Sequence, residues 1–305
     1  MDGKKYAILM GPFVGELYWE GGRFAPMLPY MINKEYKNRK DITYVVLTRR
    51  DRFDLYGKFA DILVPLKIPG DYKTLSPNCF RLNGLKPPQY EDIVKKFNTK
   101  YADRFKILKH IYPDVSKRQY VNKNQYPRKK MKYVYSPRKD NYKLVNEYIP
   151  DNKPVIVLAP RFRKGFKRNW KYWQKFYDIL WKRKDLLRDF IFIICGKEGV
   201  YMGDRYDRFY DMNKIQLTNS SSLVGILLVI LERAFFTFGS QSAIPNFSLL
   251  YGVDVLEFGC QKSLHTKTYN VRNSPITFIE DRKYSSEPNE MLKKLEKLIR
   301  RKKRK

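Results

Sequence analysis

Three stretches of this sequence carry residue types that can work together in group transfer. Glu16 follows the turn Gly11-Pro12-Phe13-Val14-Gly15, directly after the apolar run 6–10. A carboxylate at the C-terminal end of a first strand suits a general base, because open α/β sheets place ligands there. Glu20 lies one helical turn later and is the substitute. The stretch 161–168 carries Arg161, Arg163, Lys164, Lys167 and Arg168 between an apolar run and a predicted helix. Such a loop can grip a diphosphate, with arginine making two-pronged contacts. Ser240, Gln241 and Ser242 follow Gly239 and open another predicted helix, whose backbone N–H groups and dipole suit a phosphate. Base, cationic grip and helix end are what transfer to a hydroxyl requires. The sequence has no Asp-x-Asp, its two histidines lie far apart, and it has no Cys-x-x-Cys, so no metal site is expected. It also lacks a P-loop and a Gly-x-Gly-x-x-Gly after a strand, which argues against an NTPase or a dinucleotide dehydrogenase.

The elements that must hold these residues alternate. In the first half, runs 6–10, 42–48 and 61–66 read as strands. Helices are predicted over 16–33, with a break at Pro26 and Pro29, and over 52–59, 89–109 and 141–148. In the second half, strands are predicted over 155–159, 190–195, 214–217, 234–238 and, as the last, 253–258. Helices are predicted over 170–183, 220–233, 244–251 (closed by Gly252) and 288–305. The Pro-Asp-Asn-Lys-Pro cluster at 150–154 reads as a linker, giving domains 1–150 and 151–305 with a cleft between them. The fold class is α/β with parallel sheets.

Composition bears on partners. The chain has 305 residues, enough for about two domains. It carries 62 Lys plus Arg against 31 Asp plus Glu, a formal net charge of +31, together with 24 tyrosines. Charge of that size concerns solubility and partners rather than fold. Cations interleaved with rings suit nucleic acid, where phosphates and base faces are both available. The segment 117–139 is the densest such mixture and contains Arg128, Lys129 and Lys130. The basic tail 300–305 promises non-specific attraction. No apolar run is long enough to span a bilayer and no secretory leader is evident, so a cytoplasmic location is expected.

Several motifs, in order, resemble those of the bacterial heptosyltransferases. Gly15-Glu16 stands where that family has a Gly-Asp opening a helix. Strand 155–159 is followed by a basic loop ending in Arg168-Asn169-Trp170, where the family has Lys-x-Trp. Ile194-Cys195-Gly196-Lys197-Glu198 matches an apolar strand, a glycine and a nearby acid. Gly239-Ser240-Gln241-Ser242-Ala243-Ile244-Pro245 stands for the family's Gly-Asn-Asp-Thr-Gly-Pro, with Gln241 for the aspartate and Ala243 for the glycine. The stretches Gly11–Glu16, 52–62 and 239–246 also look like glycosyltransferases of large tailed bacteriophages, some of which modify hydroxymethylated pyrimidines in DNA.

The resemblance implies a GT-B fold: two Rossmann-like domains with parallel sheets facing across a cleft, the first binding acceptor and the second binding a nucleotide-sugar. It implies Glu16 as base and a donor site built from Arg161, Arg163, Lys164, Arg168, Glu198, Gly239, Ser240, Gln241 and Ser242. Within that site Arg168 holds the diphosphate and Glu198 the ribose hydroxyls. It implies no tightly bound cofactor, metal-independent chemistry and a co-substrate such as a UDP-sugar. For the acceptor, phage-like wording and charge point to double-stranded DNA carrying hydroxymethylated bases. Phe13, Tyr18 and Trp19 would assist base flipping, and Arg128, Lys129 and Lys130 would lie along the backbone. The alternatives are a heptosyltransferase-like enzyme acting on a surface glycan or lipopolysaccharide, and a non-enzymatic nucleic-acid-binding protein on the same scaffold.

Overall fold

The computed structural model describes residues 6–14, 20–36, 39–66, 87–112, 135–149, 153–161, 169–196, 208–259 and 274–304. The chain divides into two compact units, 1–137 and 138–305. The expected linker at 150–154 falls inside the second unit. The helix before it, α3 (Lys139–Tyr148), is tied there by buried Asn141, whose Oδ1 accepts the Ser222 N–H at 3.0 Å.

Among the described residues, the first unit holds a four-stranded parallel sheet in the order β3-β2-β1-β4. Strands β1 (Tyr6–Phe13), β2 (Ile42–Thr48) and β3 (Ile62–Pro65) answer to the expected runs. Strand β4 (Lys106–Ile111) does not; its residues 106–109 are the end of the helix predicted over 89–109. Instead helix α2 (Pro87–Ala102) stops, the chain turns at 103–105, and β4 pairs in parallel with β1. Tyr90, Phe97 and Tyr101 of α2 pack on Ala7, Leu9, Val45 and Leu47, forming one core face. Of the expected helix 16–33, the described residues form a five-residue π turn, Glu20–Phe24, running into α1 (Ala25–Tyr36). Pro26 sits in the first turn of α1, where no N–H is needed, and only Pro29 is internal. The expected helix 52–59 is a 3-10 turn, Arg50–Leu55.

The second unit's sheet runs β10-β9-β8-β5-β6-β7, all parallel. Its strands are β5 (Val155–Ala159), β6 (Ile191–Ile194), β7 (Phe209–Asp211), β8 (Ala234–Ser240), β9 (Asp254–Gly259) and β10 (Ile276–Glu280). The strand expected at 214–217 lies earlier, as β7, and β10 extends the sheet beyond the strand expected to be last. Helices α4 (Trp173–Trp181), α5 (Lys184–Asp189), α6 (Leu223–Glu232), α7 (Ala243–Tyr251) and α8 (Pro288–Lys303) flank it.

An aromatic core lies between the sheet, α4 and α8. Trp170 meets Phe258 and Trp173 at 5.0 Å between ring centroids, and Phe176 stacks on Phe238 at 4.8 Å. Pairs of this kind add about 0.5–1.5 kcal/mol beyond area burial. Helix α6 is apolar nearly all round and buried, as a helix covered on every side must be. Helix α7 ends at Gly252, whose φ of 81° is the left-handed closing position that glycine adopts without strain.

Candidate active site

The strand order fixes where a ligand can bind. In the second unit β5 is central; the chain proceeds from it outward through β6 and β7, then returns to its other side through β8, β9 and β10. The crevice at a reversal of this kind lies outside the carboxyl ends of the two neighbouring strands, here β5 and β8. Arg161 follows β5, and Ser240, Gln241 and Ser242 end β8 and open α7. The two segments meet: Arg161 Nη1 donates to the Gln241 carbonyl at 2.8 Å. Gly239 allows the approach. It pairs with Ala159, and a Cβ on Gly239 would stand 2.6 Å from both the Ala159 Cβ and its carbonyl oxygen.

The start of α7 has no side-chain cap. Ser242 occupies the N-cap position, yet its hydroxyl makes no capping bond, and its Oγ is buried without a hydrogen-bond partner. Ser240 is fully buried and its Oγ is likewise unpartnered. The geometry is held from behind, since the Gln241 N–H donates to the Phe258 carbonyl at 2.9 Å and Asn246 Nδ2 to the Ser242 carbonyl at 2.6 Å. A helix N-terminus without a side-chain cap keeps first-turn N–H groups for an incoming phosphate.

The basic loop is anchored at both described ends. Arg161 is held on Gln241, and Trp170 is buried with its indole Nε1 donating to the Ser286 carbonyl at 2.9 Å. Arg163, Lys164, Arg168 and Glu198 lie outside the described residues.

The first unit repeats the topology, with β1 flanked by β2 on one side and β4 on the other. Glu16 belongs to the segment following β1, outside the described residues, as do Tyr18, Trp19, Arg128, Lys129 and Lys130. Phe13 is described and fully buried. Its ring lies 4.3 Å from Phe24 and stacks on Tyr56 at 5.7 Å, so it serves the core rather than a stacking surface for bases.

Glu20, the substitute base, is also fully enclosed. Its Oε1 accepts from Thr48 Oγ1 at 2.5 Å and from the Tyr56 hydroxyl at 2.8 Å, while Arg52 Nη1 stands 3.9 Å from Oε2. Burial raises its pKa, against the opposing pull of Arg52 and the two hydroxyls. With its carboxyl closed off, Glu20 ties the turn before α1 to the end of β2.

One residue beside Gly239 is not among those predicted from the sequence. Glu257 sits in β9 in register with Gly239, fully buried, and neither carboxylate oxygen has a partner. Burial pushes its pKa up to about 8, so it holds a proton at neutral pH. The available signal was an acid inside the apolar run Val253-Asp254-Val255-Leu256-Glu257-Phe258. No cluster of three or more metal-ligating side chains occurs among the described residues.

No protein-family model matches the chain, and no curated protein matches it in sequence. Solved structures do match in fold. ADP-heptose lipopolysaccharide heptosyltransferase II of E. coli has a TM-score of 0.59 at 8% identity, covering 98% of this chain and 99% of that one. A glycosyl transferase of family 9 from Veillonella parvula has a TM-score of 0.52 at 12% identity, covering 92% and 87%. An E. coli heptosyltransferase solved with ADP has a TM-score of 0.50 at 10% identity, covering 96% and 99%. The fold is therefore the two-unit α/β fold of the GT-B glycosyltransferases, with a Rossmann-like parallel sheet in each unit.

Proposed function

We propose that the protein is an inverting glycosyltransferase that takes a sugar from a nucleotide-sugar and places it on an acceptor hydroxyl. The observation that carries this reading is the reversal point of the second sheet. There Arg161, which follows β5, meets an uncapped helix N-terminus after β8, in a fold shared with enzymes one of whose names includes ADP-heptose.

In the proposed reaction Glu16 takes the proton of the acceptor hydroxyl. The freed oxygen attacks the anomeric carbon, and the nucleoside diphosphate departs with the electrons of the broken C–O bond. Arg161, Arg163, Lys164 and Arg168, with the N-terminal end of α7, receive the charge that develops on it. Glu198 holds the ribose. This scheme needs no metal, because side chains and a helix end neutralise the leaving group.

The fold neighbours favour a surface glycan as acceptor, in the manner of the heptosyltransferases. The net charge of +31 and the Tyr–Arg–Lys segment 117–139 support a second reading, hydroxymethylated DNA. The test is a transfer assay with UDP-, ADP- and other nucleotide-sugars against a lipopolysaccharide core acceptor and against hydroxymethylcytosine DNA, read by mass spectrometry of both. Transfer is expected to persist in chelator and to fall by roughly two to four orders of magnitude in Glu16→Gln, with nucleotide binding retained. Near-normal turnover of that variant would remove Glu16 as base. Absence of transfer to either acceptor from any donor would remove the transferase reading.

A further inference from the structure

Helix α8 presents a face that neither the fold nor the proposed reaction uses. Its inner side, formed by Met291, Leu292, Leu295 and Ile299, is buried in the aromatic core. Its outer side carries Lys293, Lys294, Lys297, Arg300, Arg301 and Arg304, all exposed. At 100° per residue these positions share one face over about 16 Å. The acids nearby do not neutralise it. Glu296 is turned toward the protein, where it pairs with Arg183 and, at 3.8 Å, with Arg300. Asp189 and Asp254 are taken by Lys303 and Lys302. Lys293, Lys294, Lys297, Arg301 and Arg304 have no ion pair or hydrogen bond among the described residues, and of the acids on α8 only Glu290, in its first turn, is exposed. Five unpaired cations held parallel on a rigid helix repel one another, and an anionic partner relieves that repulsion.

We propose that the outer face of α8 docks the protein on an anionic lipid surface. Anionic headgroups attract such a cluster by about 1 kcal/mol for each Lys or Arg near the surface. From Lys293 onward the same face offers nucleic acid no exposed ring on which a base could stack, which leaves contacts from its Lys and Arg alone. Contact would be peripheral, since no helix among the described residues is long and apolar enough to cross a membrane. The assignment rests on charge and exposure alone, so it can fail while the transferase reading stands, and the reverse.

The test compares the wild-type chain with the combined variant Lys293→Gln, Lys294→Gln, Lys297→Gln, Arg301→Gln and Arg304→Gln. Every change is exposed and keeps helix propensity, and thermal unfolding reports that the fold is intact. Sedimentation with phosphatidylcholine vesicles, with and without phosphatidylglycerol, measures partitioning. Binding to a short DNA duplex is measured beside it. The wild type is expected to bind only vesicles containing phosphatidylglycerol and to be released by salt. The variant should lose about a hundredfold or more of that partitioning while its duplex affinity changes much less. Equal binding to neutral vesicles, unchanged partitioning of the variant, or a loss on DNA as large as that on vesicles would each overturn the lipid assignment.

Discussion

Glu257 is enclosed by protein on all sides and has nothing to bond to. In the folded chain burial pushes its pKa up to about 8, whereas in the unfolded chain it returns to about its ordinary 4.5. The sign of the linkage follows. Below the ordinary value both states hold the proton, and the contribution to stability is complete. As pH rises from about 4.5 towards 8, the unfolded chain releases its proton while the folded chain must keep it. Stability then falls by about 1.4 kcal/mol per pH unit, and the loss is complete above the folded value. Glu257→Gln keeps the shape and removes the titration. Denaturant unfolding between pH 5 and pH 9 should show this decline in the wild type and a flatter profile in the variant. Identical profiles would mean that the carboxyl finds a partner or water in solution. Glu20 contrasts with it: also fully buried, it has two hydroxyl donors and a guanidinium within reach. Burial alone therefore does not mark a functional carboxylate, and the buried polar neighbours decide which role each takes.

Among elements, the junction of β5, β8 and α7 determines the candidate site, and Gly239 sets its spacing. Gly239→Ala would place a Cβ at 2.6 Å from a backbone carbonyl and from the Ala159 Cβ, neither of which is the movable end of a side chain. The two strands must part at their carboxyl ends, and Arg161 then draws away from the Gln241 carbonyl. The expected outcome is a loss of about 1–3 kcal/mol in stability, with a fall of about tenfold or more in affinity for a nucleoside diphosphate by calorimetry. Full stability with unchanged affinity would show that the strands do not need this approach. Much of the junction was legible beforehand. The apolar runs of β5 and β8, the serines before α7 and the closing Gly252 all follow local rules. Strands β4 and β10 were not legible. Lys106-Ile107-Leu108-Lys109-His110-Ile111 and Ile276-Thr277-Phe278-Ile279-Glu280 lie at sheet edges and are mostly half-buried, so neither shows clean alternation. Their pairing partners, β1 and β9, make them strands. Phe13 departs from its expected place for a related reason: it neighbours a candidate base in sequence, while Phe24 and Tyr56, distant in sequence, draw its ring into the core.

At the scale of the whole molecule, each unit has its own sheet and its own core, so each can unfold as a cooperative body. The sequence supplies a probe that separates them. It contains four tryptophans. Trp170 and Trp173 are buried in the core of the second unit, Trp181 packs against that core, and Trp19 alone belongs to the first. Fluorescence therefore reports mainly the second unit, while far-ultraviolet circular dichroism reports both. If the donor's nucleoside diphosphate binds at Arg161 and the start of α7, it stabilises the second unit by mass action, by about 2.7 kcal/mol at a hundred times its Kd. The fluorescence transition should then move to higher temperature, while the component of the circular dichroism signal that comes from the first unit stays in place. Added nucleotide that shifts both components together would mean that the two units unfold as one. A shift of the first unit's component alone would move the nucleotide to the other sheet, and with it the assignment of donor and acceptor between the two units.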